Sequence, residues 1–135
     1  MAKGNIDLIR RGYEAGNQGG IEAVCDFIDQ FADPEIEFRA VGRLPDAGRV
    51  RGPEAVKTFF ARLFESLDWH VETEEFIDAG DSVVVVTRQI ARGKASGLEV
   101  TNRLVAVWGI RRAKVTSVDF YRTKNEALEA VGLRE

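Results

Sequence analysis

The chain has one cysteine, one histidine and three prolines in 135 residues, and each scarcity removes a class of explanation. The lone Cys25 cannot close an internal disulfide, which fits a reducing, cytoplasmic setting. It also sits inside a helical apolar stripe with no basic partner nearby, so it reads as a small buried hydrophobe rather than a catalytic thiol. The lone His70 has no Cys or His cluster beside it, so no metal is expected, and no Ser-His-Asp set can be placed. No segment approaches the roughly 20 apolar residues that cross a bilayer. The N-terminal MAKGNIDLIRRGYEAG holds no apolar run of signal-peptide length, so no membrane partner is expected. A net charge of −3 gives no broad electrostatic reason to bind nucleic acid. No glycine-rich loop has the lysine and spacing that cradle phosphates, and no cofactor is assigned.

What is present is ordinary for a globular protein, with 44% hydrophobic and 30% charged residues. The length suits a single domain, 1–135, with a genuine core. The stretch Leu98–Arg122 reads as two strands around a turn at Arg111-Arg112, rich in valine, threonine and aromatic residues. A turn centred there sets Val105 opposite Val118 and Arg103 opposite Phe120. One face is then apolar with a guanidinium set into it, the raw material of a ligand cavity. Trp108, with the parity of Leu104 and Ala106, is expected on the outer sheet face or at an interface.

Upstream, residues 4–17 have helical spacing through Ile6, Ile9 and Tyr13, and Gly19-Gly20 breaks that helix. A second follows through Ile21, Val24, Cys25, Ile28 and Phe31. Asp33-Pro34 ends the pair. Glu35–Val41 alternates as a strand, and Gly42–Gly52 is loop-like, with three glycines, three arginines and a proline. Pro53 opens a third helix whose stripe runs through Val56, Phe59, Phe60, Leu63, Phe64 and Leu67. Strands follow at Trp69–Asp78 and Ser82–Arg92. Val83–Val86 is apolar on both parities, so both sides of that strand are expected to be covered, one by the helices and the other by a second subunit. Lys124–Val131 is a short closing helix stopped by Gly132. Helices segregated on one face of a mainly antiparallel sheet make an α+β fold.

This order resembles the nuclear transport factor 2-like superfamily, and more closely its SnoaL-like branch of polyketide cyclases and ketosteroid-isomerase relatives. The phrases that carry the likeness are RRGYEAGNQGGIEAV, RLPDAGRVRGPEAVKTFFARL, EEFIDAGDSVVVV and VDFYRTKNEALEAVGL. The resemblance implies a cone: a strongly curved sheet wrapped around three N-terminal helices, open to a cavity, and paired as a homodimer through the outer sheet face. Ketosteroid isomerases use a carboxylate base with a tyrosine and a protonated aspartate as oxyanion hole. Carried over residue by residue, the tyrosine falls at Gly12, next to Tyr13; the base falls at Phe38 and the aspartate at Val105. Phenylalanine cannot abstract a proton and valine cannot donate one, so that mechanism is not expected. Epoxide-hydrolase relatives carry a carboxylate in the last strand, where this chain has Phe120, with Asp119 one residue away and pointed to the opposite face.

The expected ligand-binding set is therefore Tyr13, Phe38, Phe60, Arg88, Arg103, Val105, Val118, Phe120 and Arg122, around a small apolar or amphipathic molecule. Arg88 and Arg103 share a face in one register, either as an anion clamp or as partners of Glu37, Glu75 or Glu99. Tyr13 either donates a hydrogen bond into the cavity or packs with its hydroxyl at the rim. Two functions stay open. One is a binding module. The other is an isomerase, cyclase or hydrolase acting on a polyketide- or steroid-like substrate through a displaced acid or base, with Asp119, Glu37 or His70 as candidates.

Overall fold

The computed structural model describes residues 2–39 and 49–133. The first helix, α1 (Ala2–Phe31), is two arms joined at Gly20, where φ 66° and ψ −151° lie in a region essentially closed to side chains. The expected break between two helices is therefore a kink. Strand β1 (Ala32–Arg39) follows directly, and Asp33-Pro34 already belongs to it. The expected loop ends in a short strand, β2 (Arg49–Arg51); its first part, 42–48, lies outside the described residues, as does the end of the expected first strand. Then come α2 (Pro53–Ser66), β3 (Leu67–Asp78), β4 (Ser82–Gly93), β5 (Glu99–Arg111), β6 (Lys114–Tyr121) and α3 (Lys124–Ala130).

The six strands form one open sheet in the order β2-β1-β6-β5-β4-β3. Only β1 and β6 run parallel; every other pair is antiparallel. Both arms of α1, together with α2, cover one face. The main core lies between them and that face, and includes Ile9, Ile28, Val56, Phe38, Val85 and Val118. This is the expected α+β cone architecture.

A second, smaller core lies on the opposite face. Val84, Val105 and Val107 are buried there against Ala127 of α3, with Val86 beside them. The doubly apolar run at Val83–Val86 is thus covered on its second side by the closing helix of the same chain, and does not require another subunit. A capping box starts that helix: the Thr123 hydroxyl accepts from the Glu126 amide at 3.1 Å, and the Glu126 carboxylate accepts from the Thr123 amide at 3.3 Å.

The central hairpin corrects the expected register. Arg111 pairs with Lys114, so the turn is Arg112-Ala113, one residue later than the spacing suggested. Both turn residues have positive φ, 53° and 62°, as a two-residue hairpin connection requires, yet neither is glycine or asparagine. A bulge between Gly109 and Ile110 shifts the pairing once more. Val105 therefore lies opposite Tyr121, and Trp108 opposite Val118. The turn contributes a shift of two and the bulge a shift of one, so the β5 side chains up to Gly109 exchange faces relative to β6.

Candidate functional site

Strand parity decides what faces the helices. On β4 the inward positions are Val83, Val85, Thr87 and Gln89; across the ladder on β5 they are Trp108, Ala106, Leu104 and Asn102. On β6 they are Val118 and Phe120, and on β1 Ile36 and Phe38. Between this surface and the helices lies an inner chamber of about 100 Å3, lined almost wholly by apolar side chains. A wider outer vestibule of about 310 Å3 opens beyond it. Phe38, Trp69, Gln89 and Phe120 line both spaces and so form the neck between them.

Aromatic packing builds that neck. The Phe38 ring lies 5.0 Å from Phe59, 5.3 Å from Phe60 and 5.2 Å from Phe120, all tilted or edge-to-face. Phe60 continues the run to Trp69 at 6.0 Å. These rings fill the cone only in part, since chamber and vestibule remain on either side.

Three polar groups sit in the chamber wall, and their bonds separate the occupied from the available. Asn17, just before the kink of α1, donates to the Val71 carbonyl at 2.7 Å and accepts from the Val71 amide at 2.9 Å. These two bonds tie the helix to the edge strand β3. Gln89 accepts from the Trp69 indole at 3.3 Å, which leaves its amide NH2 as a donor at the neck. The Tyr13 hydroxyl accepts from the Trp108 indole at 3.0 Å. Burial pushes that phenol well above its ordinary value, with the indole bond pulling weakly the other way. Tyr13 therefore keeps its proton, and no acceptor among the described residues takes it.

Of the expected site residues, Tyr13, Phe38, Phe60 and Phe120 line the chamber, and Arg122 lines the vestibule. Val118 is fully buried in the core behind the lining. Val105 is corrected to the outer face under α3, and its inward neighbours Leu104 and Ala106 are no more acidic than it is. Arg88 and Arg103 do pair across the ladder, but on the outer face, where Arg88 meets Glu72 at 3.5 Å and Arg103 meets Glu74 at 3.2 Å. Arg103 also lines the vestibule. The acid partners are thus Glu72 and Glu74, not Glu37, Glu75 or Glu99. Trp108 is the converse correction: it belongs to the chamber and not to the outer face. Trp69, Gln89 and Asn102 also line these spaces without having been singled out.

The displaced acid and base candidates all point away. Asp119 takes a bidentate pair from Arg39, at 2.5 Å to Nε and 2.7 Å to Nη2. The guanidinium of Arg39 also reaches Glu37 at 2.9 Å, and Arg51 reaches the same carboxylate at 2.8 Å. The hydrogen bond to Asp119, ahead of the opposing effect of burial, raises the already high pKa of Arg39 further. His70 is exposed and lies opposite Ile90 on the outer parity. Burial raises the Cys25 thiol, against the pull of the Lys57 ammonium, so it stays protonated. Among the described residues no group of three His, Cys, Asp or Glu is placed to hold a metal, and no helix is long and apolar enough to cross a membrane.

The model of the SnoaL-like domain matches residues 9–118. The chain belongs to the SnoaL-like family. No curated protein matches it in sequence. Solved structures of this fold are similar over nearly the whole chain. A putative SnoaL-like polyketide cyclase from Jannaschia sp. CCS1 superposes with a TM-score of 0.78 at 20% identity, covering 99% of this chain and 95% of that one. An NTF2-like protein of unknown function from Burkholderia pseudomallei K96243 gives 0.74 at 17%, covering 96% and 98%. TerC, co-crystallised with polyporic acid, gives 0.73 at 23%, covering 95% and 98%. At these identities the SnoaL-like domain shares its fold with them, and its chemistry must be read from its own residues.

Proposed function

We propose that this SnoaL-like protein is a binding module for a small, largely apolar molecule held in the chamber and neck. The observation that carries this is the Tyr13 hydroxyl. Its lone pair is taken by Trp108, its proton is retained, and it stands in an otherwise apolar chamber with no protein acceptor among the described residues. A buried donor of that kind suits an acceptor oxygen on a ligand whose remaining surface is apolar. That TerC, which shares this fold, was co-crystallised with polyporic acid supports a ligand-binding reading here. A cyclase, isomerase or hydrolase reaction would need an acid or base in the hollow. Among the described residues the linings of both spaces contain no carboxylate and no imidazole, which favours binding over turnover.

The test is a fluorescence titration with N-phenyl-1-naphthylamine, an uncharged apolar reporter. The wild type should bind it saturably at one per chain. Gly16 lines the chamber, and a Cβ placed there meets nothing closer than Val24 at 3.4 Å. Gly16→Leu should thus fill the space without breaking the helix, and weaken binding by on the order of tenfold or more. No saturable binding, or equal binding by a folded Gly16→Leu, would overturn the proposal.

A further inference from the structure

We infer that the ligand is an amphipathic anion, its apolar body in the chamber and its acidic group in the vestibule at Arg122. This rests on the binding reading above and adds the chemical class. The linings are asymmetric in charge. Among the described residues the chamber contains no ionisable side chain apart from Tyr13, which burial keeps neutral. The vestibule is lined by Arg103 and Arg122, and by no acid among the described residues.

The two arginines are not equivalent. Arg103 is neutralised by Glu74 at 3.2 Å and belongs to the outer face. Arg122 stands one residue past β6, two beyond the inward Phe120, and makes no ion pair among the described residues. Among the described residues its guanidinium is the one vestibule charge without a counter-ion. Amide donors lie nearby on the same face: Asn102 pairs across the ladder with Gln89, whose oxygen is already occupied by Trp69 and whose NH2 remains. A carboxylate or sulfonate needs such a set, a planar cation that can bond it bidentately together with neutral donors for its other oxygens. A neutral apolar ligand would leave Arg122 idle at the mouth.

Two probes that share one apolar body separate the inference from the reading beneath it. 8-Anilinonaphthalene-1-sulfonate carries a sulfonate, and N-phenyl-1-naphthylamine has none. Both are titrated into wild type, Arg122→Gln and Arg88→Gln, the last an outer-face control of equal charge change. In the wild type the sulfonate probe should bind roughly tenfold tighter than the neutral one, as a charge-assisted pair implies. Arg122→Gln should remove most of that advantage and leave the neutral probe within about twofold, while Arg88→Gln should move neither. If the neutral probe binds and Arg122→Gln leaves the sulfonate unaffected, or if both arginine variants weaken it equally, the anion assignment falls and the binding module stands. If neither probe binds at one per chain, the binding reading itself has failed and the anion assignment goes with it.

Discussion

The indole of Trp108 donates to the hydroxyl of Tyr13 across 3.0 Å, while the two rings meet edge to face at 87° with centroids 5.7 Å apart. The residues are 95 positions apart in the chain. One bond therefore fastens the first arm of α1 to the middle of the sheet and leaves the phenol proton pointing elsewhere. Tyr13→Phe would strand the Trp108 donor in an apolar wall, and should destabilise the fold by about 1–3 kcal/mol in urea unfolding. Adding Trp108→Phe should cost less than it does alone, since the stranded donor is gone. Strict additivity in that double-mutant cycle would mean the bond contributes nothing of its own.

The same hydroxyl makes stability depend on alkaline pH. Its folded value lies above the ordinary 10.0, so the folded state holds a proton that the unfolded chain releases. The stabilisation is complete below the unfolded value and declines as pH rises beyond it. Between about pH 9 and 11, the urea midpoint of the wild type should fall more steeply than that of Tyr13→Phe. Lys57 and Tyr121 also have raised values, but they are common to both proteins and cancel in the comparison. Parallel curves would place Tyr13 in ordinary solvent.

Asp119 offers a contrast, because its work is on the far side of the sheet. Asp119→Asn weakens a half-exposed bidentate pair with Arg39 and should cost about 1 kcal/mol. Probe affinity in the hollow should be unchanged within about twofold, since the carboxylate lies across the strand from Phe120. A large loss of binding at unchanged stability would instead bring Asp119 into the site.

Element order was legible because hydrophobic periodicity is local: the apolar stripe of α2, the proline at its start and the alternation in β1 each act within a few residues. Facing was not legible in the central hairpin. Its turn places Arg112 and Ala113 at positive φ without the glycine or asparagine that usually marks such a turn, and the bulge at Gly109 leaves no pattern of its own. The later turn moves the pairing by two residues and keeps the facing; the bulge adds one more, and that single odd step puts Trp108 in the chamber and Val105 out of it. Arg88 and Arg103 show the limit of pairing alone, since they are direct neighbours, as one register anticipated, on the face away from the cavity. The cover over Val84 was likewise open until α3 was seen to fold back on it.

Phe38 is where stability and binding should separate. It is only 4% exposed and touches three other phenylalanine rings. Removing a ring so enclosed should cost on the order of 3–5 kcal/mol, because the surrounding aromatics collapse only partly into the space. It also takes away the partition between chamber and vestibule, so Phe38→Ala should still bind the neutral naphthylamine probe, and should admit bulkier apolar probes that the wild type refuses. Phe38→Leu keeps most of the volume and should cost less than half as much, by roughly the lost ring edge contacts. Urea unfolding of both variants, with titration of each probe against the folded protein, reads the two effects apart. A cost below about 1 kcal/mol for Phe38→Ala would mean that the ring borders empty space already. A tighter exclusion of large probes after the substitution would mean that Phe60 and Phe120 close over the gap, and that the neck is set by all three rings together.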